Sequence, residues 1–413
     1  AECSYCWKVE DIGRDNVSDR VYRSMEYNTD DIAALKDIDP DANVNLRTVE
    51  LSFDRTCNFA CSYCNPTYST TWGKDVEKNG PYQKFKTLTA GAYQQDGTWA
   101  DPENKYLDKN PYVDAFFRWW PTLSKDLQTL RITGGEPSTS PSFWKFLDRI
   151  RHEPVPHLNL SVNSNLGVKD GLIDKLIETT NVLELGSYDI YTSNESYGPH
   201  AEYLRDGMDY QVWRNNVVRM IEEANIRQLV VMMTVNGLSL MSITEFMDDM
   251  MLLKKKYGKN MPTMDLNFLR WPAFMSPLNL PDEVKAEAGK KIQAWLDKHR
   301  DSGFLLEHET TQIQRVIDYI DVVKQGHSRA EEDIEKHFHD FKSFYVQYDK
   351  RRGKDFKKTF PMLAEWYDTL EVDETIEDVK QTSGGMEGWE IGEYKPDILK
   401  RAKASAGSWT KIV

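Results

Sequence analysis

Six short apolar runs rich in β-branched residues, separated by stretches with apolar residues at three-to-four spacing, predict an α/β protein built on a parallel sheet. The runs are RTVELSFD (47–54), LQTLRIT (127–133), LNLSVNSN (158–165), NVLELGSYDIYTS (181–193), IRQLVVMMTV (226–235) and MDLNFLRW (264–271). Between them, PSFWKFLDRIRHE, LIDKLIETT, YQVWRNNVVRMIEEAN and ITEFMDDMMLLKKKYG read as amphipathic helices. Six strands within about 225 residues suit an open, partial (β/α)6 TIM-like barrel better than a closed eight-stranded one. In such folds the chemistry lies at the C-terminal ends of the strands, and the unusual motifs of this chain follow strands.

A chain of 413 residues, 40% hydrophobic and 12% aromatic, is long enough for a substantial buried core. Its net charge of −14 opposes non-specific binding to nucleic acid or to an anionic membrane. No apolar run reaches the roughly 18 residues of a membrane span, so a soluble protein is expected. The five cysteines are odd in number and fall in two tight groups, which points to reduced thiols in the cytoplasm, used for metal, rather than a disulfide framework. The sequence opens without methionine or a signal segment and almost on a cysteine; a processed or truncated chain is expected.

Three regions follow from the patterning. Residues 1–46 carry a C-x2-C pair, residues 47–280 the barrel, and residues 281–413 a helical C-terminal region whose acidic end, from 371, reads as weakly structured. Residues 73–112 interrupt the barrel with a polar stretch rich in Gly, Asn, Asp and aromatics, which is either a surface excursion or a lid over the site.

Two constellations carry chemistry. Cys57-Asn-Phe-Ala-Cys61-Ser-Tyr-Cys64 follows the first strand. Thiolates suit zinc or iron–sulfur clusters. Zinc prefers four tetrahedral ligands, usually in two pairs, whereas three thiolates on one loop can hold three corners of a 4Fe-4S cluster and leave the fourth iron open. After the second strand comes Gly134-Gly135-Glu136-Pro137, in which the glycines let backbone approach a ligand and Glu136 offers an acceptor to an ammonium group. Alone, that run is equally an ordinary strand-to-helix turn.

Together the two motifs, one strand apart, resemble those of the radical S-adenosylmethionine (SAM) superfamily, and the likeness of strand order and motif placement covers residues 47 to about 272. The resemblance implies that Cys57, Cys61 and Cys64 ligate a 4Fe-4S cluster whose open iron binds SAM. It also implies that Gly134 to Pro137 hold the methionyl group and that backbone near Tyr63 meets the adenine. Such enzymes cleave SAM reductively to a 5′-deoxyadenosyl radical that abstracts hydrogen from a substrate, with an electron donor such as flavodoxin or ferredoxin. Ser164 and Asn165 after the third strand, and Ser193 and Glu195 after the fourth, fall where relatives place SAM contacts; relatives usually show Ser-x-Asp at the latter, so Glu195 is a departure. Ordinary strand-end turns are the alternative for all four. Asn236, Trp271 and Pro272 carry weaker signals, and His337 and His339 read as surface residues on different faces of a helix.

Cys3 and Cys6, with Trp7, Glu10, Gly13, Ser18 and Arg20, resemble the N-terminal element of twitch-type members, which carry an auxiliary iron–sulfur cluster near the substrate. Two cysteines do not complete such a cluster. The remaining ligands belong to absent upstream residues, to another chain or to non-cysteine groups; otherwise the pair holds no metal. Twitch-type relatives often act on peptides, so a peptide or protein substrate is expected. Oxidation or rearrangement of a small molecule such as a sugar alcohol is the alternative enzyme reading, and a non-catalytic iron–sulfur electron-transfer module is the alternative of another class.

Overall fold

The structure, a computed structural model, describes residues 44–93, 110–322 and 334–372, with scattered positions between 6 and 42. Six strands lie side by side in the order in which they occur along the chain, all parallel. They are β1 (Thr48–Ser52), β3 (Thr129–Thr133), β4 (Val155–Asn163), β5 (Leu185–Ser193), β7 (Gln228–Val235) and β8 (Thr263–Phe268). Strands β1 and β8 are the two edges, so the sheet is the open six-stranded partial barrel that the sequence predicts. A separate two-stranded ribbon pairs β2 (Ala60–Cys61) with β6 (Arg205–Asp206).

Helices connect the strands, as parallel pairing requires. They are α1 (Thr70–Asn79) and α2 (Pro111–Leu123) before β3, α3 (Pro141–His152), α4 (Asp170–Val182), α5 (Pro199–Leu204), α6 (Tyr210–Glu223) and α7 (Ile243–Tyr257). Helix α3 shows why these residues form these elements. Ser140 caps it by accepting from Phe143 N, Pro141 occupies its first turn, and Phe143, Phe146, Leu147 and Ile150 bury one face.

Alternation along the strands divides the sheet into two faces. One carries Leu130, Ile132, Leu160, Val162, Ile190, Leu229, Val231, Met233, Met264 and Leu266, all buried. The other is polar: in register across the sheet stand Glu50, Arg131, Ser161, Asp189 and Gln228. Arg131 Nε donates to Asn163 Oδ1 at 3.2 Å, and its guanidinium lies 5.1 Å from the Tyr191 ring centre.

After β8 the chain is helical, with α8 (Asp282–His299), α9 (Glu307–Val322) and α10 (Ile334–Arg352). Ile292, Leu296, Ile313 and Val316 join the strand core. Helix α10 instead builds an aromatic cluster in which Phe344 and Tyr348 meet Trp72, Tyr82, Tyr93 and Tyr203, and Tyr63 and Cys64 pack against that cluster. Part of the expected excursion is thereby pinned. Asp340, fully buried, accepts from Lys86 N at 2.6 Å, Thr87 N at 2.9 Å and Thr87 Oγ1 at 2.6 Å, while Gln347 exchanges two bonds with the backbone of Gln83. Asp340→Ala leaves those donors without an acceptor; a loss of about 2–4 kcal/mol is expected, read as a lower midpoint in urea unfolding.

His339 is buried beside Asp340 and His337 is half-buried, so the surface placement expected for this pair does not hold: the apolar face of α10 carries residue 339 inward against the aromatic cluster. Asn236 closes a local turn, its Oδ1 accepting from Ser239 N, and Trp271 is exposed. Among the described residues, no helix is long and apolar enough to cross a membrane. Cys3, most of the C-x2-C element, residues 94–109 of the expected lid and the acidic tail from 373 lie outside the described residues; Cys6 is a half-buried free thiol.

Candidate functional site

Because the strands are parallel and in register, the segments that leave β1, β3, β4 and β5 emerge at one edge of the sheet. Cys57, Gly134, Ser164 and Glu195 all lie just past those strand ends. The thiol loop is held there by its backbone, and its carbonyls are taken up one after another. Thr71 Oγ1 donates to Cys57 O at 2.6 Å, Ser69 Oγ to Phe59 O at 2.8 Å, Trp72 Nε1 to Cys61 O at 2.9 Å and Tyr93 Oη to Ser62 O at 2.8 Å. Ser62 N donates to Leu204 O at 2.6 Å, which continues the β2–β6 ribbon.

Two glycines let Phe59, only 1% exposed, seat the loop against the barrel. A Cβ on Gly167 would stand 2.1 Å from Phe59 Cζ, and one on Gly207, whose φ is +97°, would stand 2.9 Å from Asn58 O. Asn58 Nδ2 also donates to Gly167 O at 2.9 Å, and Asn165 Nδ2 to Asn58 Oδ1 at 2.8 Å.

The Gly134–Pro137 turn packs on the segment that leads into Cys57. Gly135 N donates to Asp54 O at 3.3 Å and Glu136 N to Thr56 O at 2.6 Å. A Cβ on Gly134, whose φ is +120°, would stand 2.5 Å from Ser52 Oγ, and one on Gly135 2.2 Å from Thr56 O. The close approach that these glycines allow is therefore, first, an approach of the thiol loop's own backbone.

Glu136 is buried, and its carboxylate ties three elements together. Oε1 accepts from Ser138 N at 3.1 Å, Ser138 Oγ at 2.6 Å and Ser164 Oγ at 2.9 Å; Oε2 accepts from Asn165 N at 2.5 Å. Burial pushes its pKa up, and the bonds from Ser138, Asn165 and Ser164 pull it back. Four donors thus meet the carboxylate's roughly four lone-pair sites, three of them on Oε1 and one on Oε2. Pro137, also buried, opens the short turn that Glu136 caps. Glu136→Gln places an NH2 group against donors on one side or the other. The expected cost is about 1–3 kcal/mol, measured as a fall in unfolding free energy.

Glu195 is fully buried and does not face solvent. Its Oε1 accepts from Tyr63 Oη at 2.8 Å and its Oε2 from Arg205 Nη2 at 2.6 Å and Nε at 3.2 Å. Both oxygens thus meet donors inside the protein. Ser193 ends β5 opposite Met232 on the polar face. Arg205 carries no signal in the sequence; what brings it to the site is the pairing of residue 205 with Cys61, which only the fold creates.

Cys57, Cys61 and Cys64 are free thiols, half-buried. Phe59 N–H points at Cys57 Sγ at 3.5 Å and Arg205 Nη1 at Cys61 Sγ at 3.8 Å, so two of the sulfurs already face donors, as thiolates require. Without metal, burial, with Cys61 the next cause, pushes the Cys57 thiol up to about 12, and burial likewise raises Cys61 and Cys64. Soft, dry thiols presented together on one loop are the donor set that an iron–sulfur cluster takes. Among the described residues, no group of three or more His, Cys, Asp or Glu side chains is arranged to hold a single metal ion.

The fold and site thus define a class: an open parallel α/β barrel with a three-thiol loop at the C-terminal edge of its sheet. No family model and no curated protein matches the chain. It is similar to the solved structure of Streptococcus suis SuiB bound to S-adenosylmethionine, at 11% identity and a TM-score of 0.39, over 72% of this chain and 60% of that one. It is also similar to anSMEcpe with bound AdoMet and Kp18Cys peptide, at 10% identity and a TM-score of 0.38, over 62% of each chain. Against anSMEcpe with AdoMet, the likeness covers 78% of this chain and all of the other, at 9% identity and a TM-score of 0.38. The chain thus spans less than two thirds of the length of the first two. Scores this low carry no function across, and the reading below rests on the site's own residues.

Proposed function

We propose that this chain is a radical SAM enzyme in which Cys57, Cys61 and Cys64 hold a 4Fe-4S cluster. The observation that carries the reading is the locking of Gly135 and Glu136 onto the backbone of residues 54–56, which sets the second motif beside the thiol loop at one sheet edge. When bound, the cluster supplies the electron that cleaves SAM to a 5′-deoxyadenosyl radical. The chain's part is position and dryness. Gly134 and Gly135 keep a Cβ-free wall beside the loop, Glu136 accepts from the methionyl ammonium through Oε2, the oxygen with the fewer donors, and Ser164, Asn165 and Ser193 line the neighbouring strand ends. Tyr63 is fixed by Glu195, so the backbone around it is rigid where the adenine would lie.

The substrate is a peptide or protein, approached along the polar face of Glu50, Arg131, Asn163 and Tyr191; its class rests on the resemblance to twitch-type members. Cys3 and Cys6 contribute to an auxiliary iron–sulfur cluster. The enzyme works in the reducing cytoplasm, with a flavodoxin or ferredoxin as electron donor. Release of 5′-deoxyadenosine is the test. The anaerobically reconstituted, reduced chain given SAM is expected to form it even without substrate, and a chain that carries a cluster but shows no cleavage contradicts the enzyme reading in favour of an electron-transfer module.

A further inference from the structure

Arg205 stands beside the thiols with no task in the reading above. The ribbon register places it opposite Cys61, the residue is 5% exposed, and its guanidinium lies 5.4 Å from the Tyr63 ring centre. Two of its nitrogens are spent on Glu195, and the third, Nη1, is 3.8 Å from Cys61 Sγ. Glu195 in turn accepts from Tyr63 Oη, so the fork cannot turn away without breaking a buried carboxylate's bonds. A buried ion pair is weak evidence for stability, since apolar residues of similar volume often do as well. What this pair provides is a fixed dipole whose positive, guanidinium end stands nearest Cys61 Sγ and outweighs Glu195 there; the same guanidinium acts more weakly on Cys64. No comparable cation contacts Cys57, whose sulfur meets a backbone N–H, or Cys64, whose sulfur lies 3.8 Å from Asn65 O, among the hydrogen bonds of the described residues.

We propose that Arg205, held by Glu195 and Tyr63, is a positioning residue that sets the reduction potential of the iron–sulfur group through Cys61. The inference rests on the function proposed above. Hydrogen bonds and charge around cluster sulfurs tune potential, and a cation favours the state with one more electron. Arg205 therefore holds the potential less negative than the thiol loop alone would give, easing the reduction on which SAM cleavage depends.

An EPR-monitored redox titration of the full, anaerobically reconstituted chain tests this. Arg205→Met alone would strand the Glu195 carboxylate, so it is paired with Glu195→Gln; Arg205→Lys keeps the charge without the fork. The double variant is expected to shift the midpoint to more negative potential, and Arg205→Lys to shift it the same way by less. If the double variant does not load iron, Arg205→Lys decides. A midpoint unmoved from wild type, at equal iron content, overturns the proposal alone; a wild-type chain that takes up no iron and sulfide overturns it together with the proposed function.

Discussion

Alanine at any one of Cys57, Cys61 and Cys64 is expected to drop the iron bound at this loop, and the 5′-deoxyadenosine released with SAM and reductant, to the level of an unreduced control. Each thiolate is one of only three corners the loop offers, and a cluster that already leaves one iron open has no ligand to spare. The fold should survive the change. The loop is held by Phe59 and by bonds to its carbonyls from Ser69, Thr71, Trp72 and Tyr93, none of which involves a sulfur. Urea unfolding of each metal-free variant is therefore expected within about 1 kcal/mol of metal-free wild type. Cys6→Ala, by contrast, should leave both the loop's iron and SAM cleavage in place. Iron content falling in step with stability would mean that the cysteines serve packing.

Gly135→Ala is expected to be nearly as damaging by a different route. Its Cβ would lie 2.2 Å from Thr56 O and 2.6 Å from Arg55 O, both backbone atoms that cannot swing aside. Overpacking of this kind costs about 1–3 kcal/mol, and here the strain falls on the residues that lead directly into Cys57. Gly134→Ala adds a Cβ at φ +120° within 2.7 Å of Asp54 O. Both variants should lose cluster loading and SAM affinity together. Gly171 provides the control: it lies in α4 with nothing within 4 Å of its added Cβ, so Gly171→Ala should be neutral or mildly stabilising. If Gly135→Ala keeps wild-type loading and loses only SAM affinity, the turn acts on the ligand alone and the loop does not depend on it.

The six strands of the parallel sheet were legible because burial on one face imposes a period of two, and each falls within a few residues of the run that announces it. The thiol loop and the Gly134–Pro137 turn were legible because their residue types are costly to place without a reason. What escaped was long-range. Phe59 reads as a spacer between cysteines, yet it seats the loop on Gly167 and Gly207, both far along the chain. Arg205 reads as one charge in a polar run until β6 pairs with β2. Glu195 is suggested as a ligand contact by its position, and the fold adds bonds from Tyr63 and Arg205 that the sequence does not show. His337 and His339 read as surface residues of a helix, since the aromatic cluster beside which His339 is buried is completed by Trp72, Tyr82 and Tyr93 from far earlier in the chain. In each case the period of the local sequence was read correctly and the partner could not be.

The central claim is that three thiols on one loop leave an iron open for SAM beside Gly134–Pro137. EPR of the reduced, reconstituted full chain, recorded with and without SAM, tests it most directly. The account predicts a signal from a reduced 4Fe-4S cluster whose g values change when SAM is added, an effect lost in Cys61→Ala together with the cluster. A cluster signal indifferent to SAM, or iron bound without sulfide, would contradict it.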